Sequence, residues 1–206
     1  MLFMKDHQKV LDMAYLALLI AIMVILGIVP FLGFIPLGFA SVTILHLPVI
    51  IAALYFDWKL TTLSGFAFGM ISWIVALWRP TQPLDPFFQN PILALIPRTL
   101  FALFTALLFK ALFNVIKKHY TRDVVVAFVG SFIHSILVLS FLAIMFYDTV
   151  TEAGTFNAAV NAALITLGTA SVLEAIAAAL IAPPIVRALR IANKKEDQLD
   201  ILHIED

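Results

Sequence analysis

Six apolar stretches, each long enough to cross a bilayer, take up most of this chain and leave it few folds to adopt. Cut at its polar interruptions, the sequence yields stretches at 10–29, 39–56, 60–78, 91–114, 123–147 and 158–186. A helix rising 1.5 Å per residue crosses the hydrocarbon layer in roughly 17–25 residues. With 63% of its residues hydrophobic and 13% charged, the chain has more apolar surface than a water-soluble domain can bury. In 206 residues the connections leave no room for a soluble catalytic domain, so 1–206 reads as a single integral-membrane domain. The expected fold is all-α, with six transmembrane helices.

The cations give that bundle a direction. Lys5 and Lys9 precede the first stretch, and Lys59 separates the second from the third. Lys110, Lys117, Lys118 and Arg122 join the fourth to the fifth, and Arg187, Arg190, Lys194 and Lys195 follow the sixth. Of 13 lysines and arginines, only Arg79 falls in an alternate connection and only Arg98 lies well inside a stretch. Cytoplasmic loops hold the excess of Lys and Arg, so both termini are expected in the cytoplasm of a multi-pass cell-membrane protein.

Several classes are excluded by what is missing. Without cysteine there are no disulfides, iron–sulfur ligands or thiolate metal sites. No G-x-x-x-x-G-K-[ST] occurs, so any ATP-driven transport needs another subunit to hydrolyse the ATP. No H-E-x-x-H or paired acid–base spacing supports an intramembrane enzyme. An autonomous secondary transporter stays open as an alternative. It would favour an inverted repeat, which is not evident, and charges along one path, whereas Arg98 and Glu174 fall at different depths. Catalytic residues, metal ligands, cofactors and nucleic-acid partners are therefore not expected.

Local patterns mark what the helices do. Ala17 and Ala21 on helix one form a small-x-x-x-small pair that lets another helix approach closely, and Gly65 and Gly69 do the same on helix three. The connection from Pro30 to Gly38 is uncharged, with two prolines and two glycines. It should fold down onto the bundle as a lid. Arg79 to Pro91 is proline-stiffened and expected to be extended. Helix six is expected to end at Pro183-Pro184.

A charge in the hydrocarbon costs at least about 2.5–3.5 kcal/mol, so each one needs a reason. Arg98 lies about 12 Å into helix four from Asn90, beneath the lid-like loops. It is a clamp for an anionic or carbonyl group, a structural partner of Glu174, or a cap for the carbonyl that Pro97 frees near Leu93. Glu174, about 25 Å from Asn157, is expected in the opposite half, away from Arg98, in a packing or partner-facing role. His46 and His134 are mid-membrane, each able to bond a ligand or a neighbouring serine. Asn90, Asn157 and Asn161 offer neutral donors and acceptors at helix ends, and for Asn157 a helix N-cap is an equal reading. Phe34, Phe87, Phe88 and Trp73 could wall an apolar pocket.

Six helices with both termini inside, Ala17-x-x-x-Ala21 and a hydrophobic first outer loop together resemble the substrate-binding S-component of energy-coupling-factor (ECF) vitamin transporters. The stretches Ile35-Pro-Leu-Gly-Phe…Thr43-Ile-Leu-His46-Leu-Pro, Phe88-Gln-Asn90-Pro91 and Ile96-Pro97-Arg98 are most like the pantothenate-type members. His46-Leu-Pro48 stands where riboflavin-type members have Asp-x-Pro. The resemblance implies a subunit that captures a vitamin from outside, under loops one, three and five. It would dock through Ala17 and Ala21 onto a transmembrane coupling subunit (EcfT) driven by two cytoplasmic ATPases. Pantothenate has a carboxylate, an amide and two hydroxyls. Arg98 would take the carboxylate, with Phe34, Asn90, His134, Asn157 and Asn161 completing the site. Pyridoxine, a thiamine precursor and riboflavin are the alternative cargoes.

Overall fold

A nine-residue helix buried on every side organises the chain. The computed structural model describes residues 2–29, 32–37, 40–80, 85–145 and 156–193. Its elements are α1 (Leu2–Ile28), β1 (Phe34–Leu37), β2 (Ala40–Thr43), α2 (Leu47–Tyr55), α3 (Trp58–Trp78), α4 (Asp85–Phe88), α5 (Pro91–Leu112), α6 (His119–Met145) and α7 (Phe156–Ala192). All nine residues of α2 are buried, and the helix packs against α1, α3, α5, α6 and α7. Around it, α1 packs on α3, α3 on α5, α5 on α6 and α6 on α7.

Among the described residues five helices are long and apolar enough to cross a membrane: Gln8–Ile28, Trp58–Trp78, Pro91–Leu112, His119–Met145 and Thr169–Ala192. The second apolar stretch departs from expectation. Instead of a helix over 39–56 it forms β2, a turn and α2, and α2 spans only about 13 Å. The physical reason is local. Ala40–Thr43 pairs antiparallel with Phe34–Leu37, and Pro48, in the first turn of α2, starts a new helix after the turn at His46.

The hairpin register fixes which backbone groups face outward. Ile44 N–H donates to Gly33 O at 2.9 Å, and the pairs Ile35–Val42 and Leu37–Ala40 follow in the same phase. Antiparallel pairs alternate, so Thr43 and Pro36 occupy the positions whose N and C=O point away from the partner strand. Pro36 therefore removes no ladder bond. Thr43 is left with an outward donor and an outward acceptor.

Three further boundaries are corrected. The charged lead-in before Lys9 belongs to α1, and the connection after Arg79 contains one helical turn, α4. Helix six, as α7, does not stop at Pro183-Pro184 but continues to Ala192. Two prolines remove two intrahelical bonds, but the segment beyond them is fastened. Arg190 makes two hydrogen bonds to Asp123, at 2.5 and 3.2 Å, and one to Leu54 O at 2.8 Å. Asn193 bonds the Tyr55 hydroxyl.

Close helix crossings follow the glycines. A Cβ at Gly65 would lie 2.3 Å from Ala102 Cβ and 2.7 Å from Arg98 O, and one at Gly69 would lie 2.8 Å from Leu95 Cα. The G-x-x-x-G face thus presses α3 against the part of α5 that carries Arg98. At the opposite end of the bundle from the hairpin, Arg122 stacks over Phe109 and Phe113, 4.7 and 4.4 Å from their ring centres.

Candidate functional site

Pro97 and Arg98 show how the site is built from sequence upward. Pro97 has no N–H for Leu93 O, its partner in a regular helix. Arg98 Nη1 supplies the missing donor at 2.7 Å. That contact holds the guanidinium inside the bundle, 4.6 Å above the Phe88 ring centre and 5.9 Å from that of Phe68. Arg98 is only 5% exposed, and its Nε has no hydrogen-bond partner among the described residues. Of the readings the sequence offers for Arg98, carbonyl capping is therefore present, and a donor is left over.

Phe68 also meets His134, with ring centres 5.6 Å apart, and Phe101 approaches the same imidazole at 5.1 Å. His134 lies parallel to His46, with centres 5.3 Å apart and planes at 1°. Among the described residues neither nitrogen of His134 has a partner. His46 is fully engaged. Its Nδ1 is 2.6 Å from Thr43 O and its Nε2 is 2.9 Å from Ser131 Oγ. A carbonyl only accepts, so Nδ1 carries the proton and the Ser131 hydroxyl donates to Nε2.

Glu174 completes the cluster. Its carboxylate accepts the Thr43 N–H at 2.5 Å and lies within hydrogen-bond reach of Ser135. Sequence distance placed Glu174 in the other half of the bundle from Arg98. The structure instead places it beside the two histidines, where β2 ends at Thr43 against α7. His46 and Glu174 are thus site-cluster residues that the sequence reading left out of its site. The available signal was their ionisable character inside an apolar stretch.

The other expected site residues are placed as follows. Asn90 caps α5, its side-chain oxygen accepting Ile92 N–H at 2.9 Å. Phe34 lies in β1 and Asn157 and Asn161 lie in the first turns of α7, while their side chains are outside what the structure describes. Trp73 holds the α4 turn in place: its Nε1 donates to Gln89 O at 2.9 Å, and Gln89 Nε2 donates to Ala76 O at 3.2 Å. That turn carries Phe88 over Arg98.

His46, His134 and Glu174 bring their ligand atoms within 4.8 Å of one another, a donor set that a divalent ion could use. The lone pair of His46 Nε2 is already committed to Ser131, and the Arg98 cation is one aromatic ring away. The arrangement suits a polar organic molecule with an anionic group better than a bare cation.

The model of the ECF transporter, substrate-specific component family matches residues 11–186. The chain belongs to that family. As an ECF substrate-specific component it is a multi-pass membrane protein and a subunit for transport rather than an enzyme. It is 29% identical over 203 residues to the pantothenic acid transporter PanT of Lactococcus lactis subsp. cremoris (strain MG1363), across 90% of this chain and 97% of that relative. In this family member Ala17 and Ala21 are exposed on the outer side of α1.

Proposed function

We propose that this chain captures pantothenate beside Arg98 and His134. In this reading it delivers the vitamin through a transmembrane coupling subunit (EcfT) driven by two cytoplasmic ATPases. The observation that carries the reading is the buried Arg98, steered by Pro97 and two phenylalanines toward an imidazole with both nitrogens unclaimed among the described residues. A carboxylate is the natural partner for a desolvated guanidinium. The imidazole suits hydroxyl or amide groups of the same molecule. The likeness to a relative named as a pantothenic acid transporter supports the same cargo.

Titration of radiolabelled pantothenate into the purified Arg98 variants tests this. Truncating one member of a buried charge pair costs about 2–5 kcal/mol. Arg98→Ala should thus weaken binding by roughly 30-fold or more, with Arg98→Lys intermediate because the charge survives without the fork. Unchanged affinity in Arg98→Ala removes Arg98 from the site.

A further inference from the structure

We infer that Glu174 is a positioning residue: it clasps the β1–β2 hairpin onto α7, and that clasp sets how long a captured molecule stays bound. The residence-time part rests on the proposed capture function, whereas the clasp itself does not.

The argument begins with the register. Thr43 is the last residue of β2, at a position where neither backbone group can bond to β1. In an apolar bundle an unmet N–H or C=O is expensive, so each must find a partner. Both partners are side chains from one cluster. Glu174 on α7 takes the N–H at 2.5 Å, and His46 takes the C=O through Nδ1 at 2.6 Å. The hairpin is thereby tied down at a single residue.

Chemistry decides between the two ties. The His46 bond spans three residues within one turn, and it reaches another element only through a second bond, from the Ser131 hydroxyl on α6 to Nε2. The Glu174 bond spans 131 residues and joins two separate elements. It joins them directly, with no third side chain between. The same carboxylate lies near Ser135, four residues beyond Ser131, which holds His46 Nε2. His46 in turn stacks on His134. A molecule touching His134 is therefore next to the cluster that fastens the hairpin, and in this proposal the opening of that fastening is what frees it.

The test compares Glu174→Met, which fills similar volume without an acceptor, with Glu174→Gln, which keeps a neutral carbonyl in place. Two quantities are measured on the full chain: amide hydrogen exchange over 34–46 and the dissociation rate of radiolabelled pantothenate. Glu174→Met should raise exchange in that segment at least tenfold while α3 and α5 keep wild-type exchange. It should speed pantothenate release by a similar factor, with the association rate changed less. Glu174→Gln should recover most of both effects. Unchanged hairpin exchange in Glu174→Met overturns the clasp, and faster exchange with unchanged release overturns its control of residence. If Glu174→Met does not fold, the wild-type Thr43 amide decides: it should exchange among the slowest of the hairpin, and rapid exchange refutes the clasp. Should the wild type not bind pantothenate at all, the vitamin reading fails while the exchange data still decide the clasp.

Discussion

Arg98, Arg122 and Arg190 each carry a charge into the apolar bundle, and each is accommodated differently. Arg98 answers the carbonyl that its own neighbour Pro97 leaves open. Arg122 rests on two aromatic faces and reaches His119 Nδ1 at 3.0 Å. Arg190 makes a buried ion pair with Asp123 and also holds the last turn of α2 through Leu54 O. Removing one partner of a buried pair strands the other charge at about 3–5 kcal/mol, whereas replacing both with apolar residues can be neutral. Arg190→Met and Asp123→Asn should each lower the thermal unfolding midpoint in detergent, and Asp123→Leu combined with Arg190→Met should recover most of the loss. Equal stability of the single variants would show that the pair does not hold α7 to α2. The difference in legibility is physical. The Pro97–Arg98 relation lies within one helical turn and could be read from sequence, as one of three alternatives. The Arg190–Asp123 contact spans 67 residues and depends on how α6 and α7 pack.

At the scale of elements, the long helices were legible because period and length leave a 20-residue apolar run few alternatives. The second stretch was not. A short apolar run serves a strand or a buried helix equally well, and here 39–56 contains both. The place of Glu174 was hidden too, because a distance counted along helix six from Asn157 does not say which part of 39–56 packs against it. The path of α7 beyond Pro183-Pro184 was hidden for a related reason: local propensity is overruled by the contacts of Arg190 and Asn193. The glycine face of α3 was read correctly and gives a direct test. Gly65→Ala places a methyl carbon 2.7 Å from Arg98 O, so α3 and α5 must separate. Overpacking of this kind costs about 1–3 kcal/mol. The variant should unfold at lower temperature and bind pantothenate more weakly, because Arg98 moves with its backbone. Wild-type stability and affinity together would contradict the close crossing.

For the whole molecule, the arrangement around α2 leaves the Ala17 and Ala21 side of α1 uncovered, while Arg98, His134 and Glu174 are buried on α5, α6 and α7. Capture and docking are therefore expected to be separable. Ala17→Leu with Ala21→Leu should leave pantothenate affinity unchanged. The same pair should reduce uptake about tenfold or more when the chain is co-reconstituted with coupling and ATPase subunits, as bulk at a small-residue face prevents close helix approach. Loss of binding in that variant would place α1 at the binding site and not on the docking side. The central claim is that the chain alone holds the vitamin. Equilibrium dialysis of radiolabelled pantothenate against the purified wild-type chain, with no partner subunit and no ATP, tests it most directly. Saturable binding of one molecule per chain is the predicted result. No retention of pantothenate, with saturation instead by a neutral vitamin such as pyridoxine, would contradict the account.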